Sequence, residues 1–122
     1  MSAGTGQARR PLTDRERRVI ERLIELAPAE QQTTLRSFME RAEAGTSCPC
    51  GCGSFRILVD GTGETARHLL VAEGFVERSG LPHLGVMLFA SEGRPNYLEI
   101  FAPERVDDDP PLQFPSSDDI KA

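Results

Sequence analysis

The sequence predicts an α+β domain, with two N-terminal helices packed on an antiparallel β-meander of about four strands and an extended Pro-rich C-terminal arm. Three observations carry this reading. Apolar residues recur at helical spacing as far as Ala44, the period changes to strand-like alternation after Gly53, and prolines and acids dominate from about residue 103. Short connections between the strands favour antiparallel neighbours, and a sheet with one apolar face needs the helical pair as its cover.

The 122 residues suffice for one domain that encloses a core without disulfide or metal support. Residues 1–10 are small, polar and without period, and are expected to be a disordered lead-in. Residues 11–122 are expected to form a single domain that includes the arm, docked or partly disordered.

Pro11-Leu12-Thr13-Asp14-Arg15-Glu16 announces the first helix. Thr13 is its expected cap, Glu16 reaches back to the cap amide, and Asp14 adds negative charge in the first turn. Val19, Ile20, Leu23, Ile24 and Ala27 form one apolar stripe opposite Arg15, Arg18, Glu21, Arg22 and Glu25. Pro28 separates this helix from a second, expected over residues 29–44. There Leu35, Phe38, Met39 and Ala42 make the stripe and Gly45 sits just past the end.

Phe55, Ile57 and Val59 alternate as a half-buried strand that stops at Gly61-Thr62-Gly63. A longer strand is expected over residues 67–79, where Gly74 marks a bulge or a close backbone approach. Ser79-Gly80-Leu81-Pro82 is a turn, His83 to Ala90 the most apolar strand, Glu92 to Asn96 another turn, and Tyr97 to Ala102 the last strand. The second and third strands are apolar in both phases, so the face covered by the helices is not readable from them. Pro103, Pro110, Pro111 and Pro115 rule out helix or central strand beyond, and Leu112, Phe114 and Ile120 are the side chains expected to pin the arm.

The formal net charge of −5 argues against a general nucleic-acid binder, since phosphate contacts need an excess of Lys and Arg. No apolar run approaches a membrane span, and the first ten residues lack the apolar core of a secretory signal. A cytoplasmic location is therefore expected, with thiols kept reduced.

All three cysteines lie in Ser47-Cys48-Pro49-Cys50-Gly51-Cys52-Gly53. On a regular strand, alternate residues would stand roughly 6.5–7 Å apart on one face. Zinc at about 2.3 Å from each sulfur needs sulfurs roughly 3.8 Å apart, so the run chelates one metal only if the backbone folds tightly, as Pro49, Gly51 and Gly53 permit. Cys48, Cys50 and Cys52 are the candidate metal ligands, with His68 or His83, Asp60 or a second chain as the fourth. The competing reading is a tight turn with partly buried thiols, and the paired C-x-x-C knuckles of the usual zinc signature are missing. A nucleophilic Cys50 or Cys52 needs a base to lower its pKa, and only His68 and His83 are on offer. Both histidines sit beside turns, where a solvated imidazole is ordinary. Glu73, Glu77 and Glu99 share strand interiors with apolar residues and form the candidate acidic sheet surface. Alternating Glu and Arg on an open sheet face is more often simply the solvent side. No phosphate-binding glycine loop, nucleophile elbow or His-Glu-x-x-His motif is present.

Arg10-Pro11-Leu12-Thr13-x-x-Glu16, the Cys50-Gly51-Cys52 centre followed by a strand, and Tyr97-Leu98-Glu99-Ile100 with a closing Pro/Phe/acid tail occur in that order. This pattern resembles a family of small actinobacterial-type proteins that share an R-P-L-T start, a C-x-C-G-C-type centre and a late L-E-[IV] strand. The resemblance covers about residues 10–120. It implies a single domain to which the Pro-rich tail belongs, and it brings no activity, cofactor or catalytic residue. The functional expectation is a small non-enzymatic binding or protein-interaction module, as a homodimer or with a protein partner, without nucleic acid, membrane or catalytic residues. No cofactor is expected on this reading. The alternative is a zinc-binding or thiol-dependent protein centred on the cysteines.

Overall fold

In the computed structural model, which describes residues 9–47, 53–59, 69–102 and 114–122, the first helix begins where Thr13 places it. Helix α1 spans Asp14–Leu26. The Glu16 amide donates to Thr13 Oγ1 at 3.0 Å and the Thr13 amide donates to Glu16 Oε1 at 2.9 Å, a complete capping box. Val19, Ile20, Leu23 and Ile24 are all buried, as the stripe predicts. Helix α2 spans Ala29–Met39 and buries Leu35 and Met39.

The second helix is shorter than expected. Residues 43–47, expected in part as its end, form a strand. Strand β1 is Arg10–Pro11, within and beside the expected lead-in, and strand β2 is Glu43–Ser47. They pair antiparallel, with Arg10 opposite Ala44 and Pro11 opposite Glu43. Ala42, Ala44 and Gly45 are small enough to satisfy a helical or an alternating pattern. Pairing with neighbouring strands, a long-range interaction, decided between them. Gly45 is accordingly a buried strand residue and not the helix stop.

The remaining strands are β3 (Phe55–Leu58), β4 (Leu69–Arg78), β5 (Leu81–Ser91) and β6 (Arg94–Phe101). They complete a six-stranded sheet in the order β1-β2-β3-β6-β5-β4, with all pairs antiparallel. The expected four-strand meander is thus corrected. Strands β4, β5 and β6 do form a meander, but β3 pairs with β6 and not with its successor. The hairpin turns start where expected, at Ser79 and Glu92, but end two and three residues earlier: Gly80 (φ 72°) closes the first, while Glu92 (φ 52°) and Gly93 (φ 79°) close the second. Leu81, Pro82 and Arg94 to Asn96 belong to strands.

One sheet face carries Ala72, Val76, Leu84, Val86, Leu88, Ala90, Leu98 and Ile100 into the core with the stripes of both helices. The other carries Glu73, Phe75, Met87, Phe89, Tyr97, Glu99 and Phe101. In β4, then, the residues in phase with Ala72 face the helices, a choice that alternation alone left open.

The chain returns to this sheet at its far end. Phe114 packs against Phe55 with ring centroids 6.5 Å apart and accepts a hydrogen bond from Arg15 Nη1 at 2.9 Å through its carbonyl. A 3-10 turn at Ser117–Asp119 then delivers Ile120 into the core and Lys121 to the sheet. The arm expected between residues 103 and 113 lies outside the described residues.

Candidate functional site

Of the expected metal ligands, Cys48, Cys50, Cys52 and His68 lie outside the described residues, as does Asp60. His83 is exposed in β5 and its ring stands 5.0 Å from that of Phe75. Among the described residues, no group of three or more His, Cys, Asp or Glu side chains is arranged to hold a metal ion. The cysteine run falls between β2 and β3, an antiparallel pair. Its C-terminal flank is held by Ser54, whose hydroxyl accepts from the Ile100 amide at 2.8 Å. Gly53 adopts φ 95° against Phe114, a left-handed conformation that favours glycine.

The acidic surface is only partly assembled. Glu73 and Glu99 stand opposite Met87 from its two sides, so they occupy one row and one face. Two strand spacings, about 10 Å, separate their backbones, too far for a directly hydrogen-bonded carboxylate pair without a reach across Met87. Glu77 is engaged instead with the Lys121 ammonium. That hydrogen bond and the ammonium charge hold the Glu77 carboxyl below its ordinary range. Surface grooves lie away from these carboxylates. One of about 420 Å³ runs between α1 and the C-terminal turn, lined by Arg18, Glu21, Arg22, Glu25, Ser117 and Asp118.

The feature that sequence reasoning did not single out is the outer edge of β4, the last strand of the sheet. The opposite edge, β1, is two residues long and contains a proline, so it offers little to pair with. Strand β4 is ten residues long. At Phe75 its outward backbone groups are taken by the chain itself. The Phe75 amide donates to the Lys121 carbonyl at 2.8 Å, and the Lys121 amide donates to the Phe75 carbonyl at 2.8 Å. Among the described residues no other backbone hydrogen bond reaches this outer edge.

Toward its N-terminal end the same edge is apolar and uncovered. Leu69 is 68 % exposed and Leu70 is 45 % exposed. Leu69 pairs with Ala90, which faces the helices, and Leu70 pairs with Phe89, on the opposite face. The two leucines therefore flank the edge, one on each side of the sheet. A register shift between Leu70 and Ala72 puts a bulge at Val71, which twists the edge and shortens the regular stretch it presents.

Gly74 explains how the C-terminal segment reaches the edge. A Cβ there would lie 2.7 Å from Ile120 Cγ2, 2.7 Å from the Lys121 carbonyl oxygen and 3.2 Å from Leu26 Cδ1. The glycine is a close backbone approach and not the site of a bulge; the register shifts fall on either side of it. From α1, Arg22 places both Nε and Nη2 on the Ile120 carbonyl, at 3.2 and 3.1 Å. The only sequence signal for this seat was Gly74 itself, together with the isolated Ile120 in a polar tail.

No helix among the described residues is long and apolar enough to cross a membrane. No protein-family model, curated protein or solved structure matches this chain.

Proposed function

We propose that this protein is a small non-enzymatic interaction module that takes an extended segment of a protein partner onto the outer edge of β4 by strand addition. The observation that supports it is the placement of Leu69 and Leu70 on opposite faces of one uncovered edge. A ligand lying on either face would cover one leucine. A strand added at the edge covers both, and also gives partners to outward amides and carbonyls that no described residue pairs. Burying the exposed parts of the two side chains contributes about 2–3 kcal/mol, on a scale of ~1.5–3 kcal/mol for one leucine buried in full. With a handful of backbone hydrogen bonds, each of about 1 kcal/mol net, this suits short-segment recognition of modest affinity. The bulge at Val71 limits the length that pairs and opposes open-ended stacking of sheets.

Peptide display tests this. A library of random decapeptides selected against the full chain is expected to yield binders that lose affinity for a Glu73→Pro variant, which removes the edge donor two residues before the outward Phe75 amide, and for a Leu69→Lys/Leu70→Lys variant. Circular dichroism establishes that each variant is folded. Binders that hold both folded variants as well as wild type would overturn the proposal. Sedimentation showing that β4 pairs with β4 of a second copy, with no peptide enriched, would overturn it in favour of a homodimer.

A further inference from the structure

We infer that Ile120-Lys121 is an internal stand-in for the ligand, so that the C-terminal half of β4 is a receptor site for an extended peptide in which a branched aliphatic residue precedes a basic one. The inference rests on the strand-addition reading and names its ligand. The seat has four parts, each already filled by the chain's own segment. Phe75 exchanges both backbone hydrogen bonds with Lys121, as one rung of an antiparallel ladder. Missing its side chain, Gly74 leaves the gap into which Ile120 fits, 2 % exposed, beside Leu26. Arg22 forks onto the Ile120 carbonyl and orients the peptide unit between the two residues. Glu77 receives the Lys121 ammonium.

The chemistry that recognises this segment would recognise the same sequence on another protein. Backbone pairing is indifferent to source, the Gly74 gap selects an aliphatic side chain by shape, and Glu77 selects a cation. What holds the internal copy in place is local: one buried side chain, one rung, the Arg22 fork on one carbonyl, and an ion pair whose two side chains are 58 % and 57 % exposed. Its advantage over an external peptide is the tether, an effective concentration on the order of millimolar. Glu73 extends the site. It stands two residues before Phe75 on the same face, so a ligand continuing past the basic residue meets a second carboxylate two positions on. The external ligand is therefore a segment of a partner protein reading aliphatic–basic–x–basic.

Fluorescence anisotropy tests this with a labelled peptide of residues 116–122, added to the full chain as wild type and as Ile120→Ala. Loosening the internal copy is expected to tighten peptide binding at least tenfold. Peptides carrying Ile120→Asp or Lys121→Glu should lose that binding, and one extended by a lysine should gain over one extended by a glutamate. Where Ile120→Ala does not fold, the full chain carrying Lys121→Glu, changed only at an exposed residue, takes its place. A folded, loosened variant that binds no peptide, or binds the Ile120→Asp peptide equally well, overturns the inference. If display binders still depend on Leu69 and Leu70 in that case, only the ligand assignment falls and strand addition stands. A concentration-dependent wild-type dimer that Lys121→Glu abolishes would assign the seat to the tail of a second copy, and would also overturn it.

Discussion

Gly74 and Ile120 are in contact across the sheet edge so closely that a single methyl group does not fit between them: a Cβ on Gly74 would lie 2.7 Å from Ile120 Cγ2. Forty-six residues apart in sequence, they decide whether the C-terminal segment can lie on β4.

Gly74→Ala should therefore act on the tail before it acts on the strand. The clash with Ile120 and with the Lys121 carbonyl is expected to cost about 1–3 kcal/mol, typical of overpacking. Hydrogen exchange at the Phe75 amide should accelerate in the variant while amides of β5 and β6 remain protected. Uniform acceleration across the sheet would contradict this local account.

Ile120→Ala removes a core side chain contributed from outside the helices and strands. Its 2 % exposure predicts a loss of about 2–4 kcal/mol in urea unfolding. A loss below about 1 kcal/mol would mean that the tail is not part of the cooperative unit.

The capping box at α1 carries a pH signature. Burial pushes the Glu16 carboxyl up. The Arg10 guanidinium, forked onto both carboxylate oxygens at 2.7 Å, and the Thr13 hydrogen bonds pull it down further, so it lies below 4.5. A depressed carboxylate stabilises the fold above its unfolded pKa, and that contribution is lost as pH falls through the lower folded value. Glu16→Gln should be less stable than wild type near neutrality by about 1 kcal/mol, with the gap closing below pH 4.5. A gap constant from neutral to acid pH would rule out the ion pair as its source.

The hairpin between β5 and β6 contains an improvable residue. Glu92 and Gly93 both have positive φ, as a type I′ turn requires, yet Glu is a poor choice at the first position. Glu92→Asn should raise stability by about 0.5–1 kcal/mol, measured as a higher urea midpoint at unchanged slope. Gly93→Ala should do the reverse, since its Cβ would meet Thr34 Cγ2 at 2.8 Å.

Much of this architecture was written locally. The cap at Thr13 and Glu16, the buried stripe of α1 and the pause at Pro28 depend on neighbours within a few residues, and the three strands of the meander pair with their successors in the chain through tight turns. Local spacing and capping chemistry are what a sequence displays. Arg10-Pro11-Leu12-Thr13-x-x-Glu16 is now explained as one such unit, in which the strand residue Arg10 grips the helix residue Glu16 and lies 5.7 Å over the Phe55 ring.

What the chain displayed poorly were the pairings between distant segments. Ala44 and Gly45 fit either period, so only the neighbours Arg10 and Ile57 made a strand of them. Strand β3 lay beside β6 because sheet order is set by which apolar faces meet, not by succession along the chain. The candidate edge belongs to this second kind. The exposure of Leu69 and Leu70 is a property of being last in the sheet, and the seat at Gly74 exists because a segment forty-six residues away returns to fill it. Sequence alone determined the local elements, since helix hydrogen bonds close within a turn and the meander strands are joined to their successors by tight turns. The tertiary structure decided the edge, since a backbone group is unpaired only with respect to everything else that could have reached it.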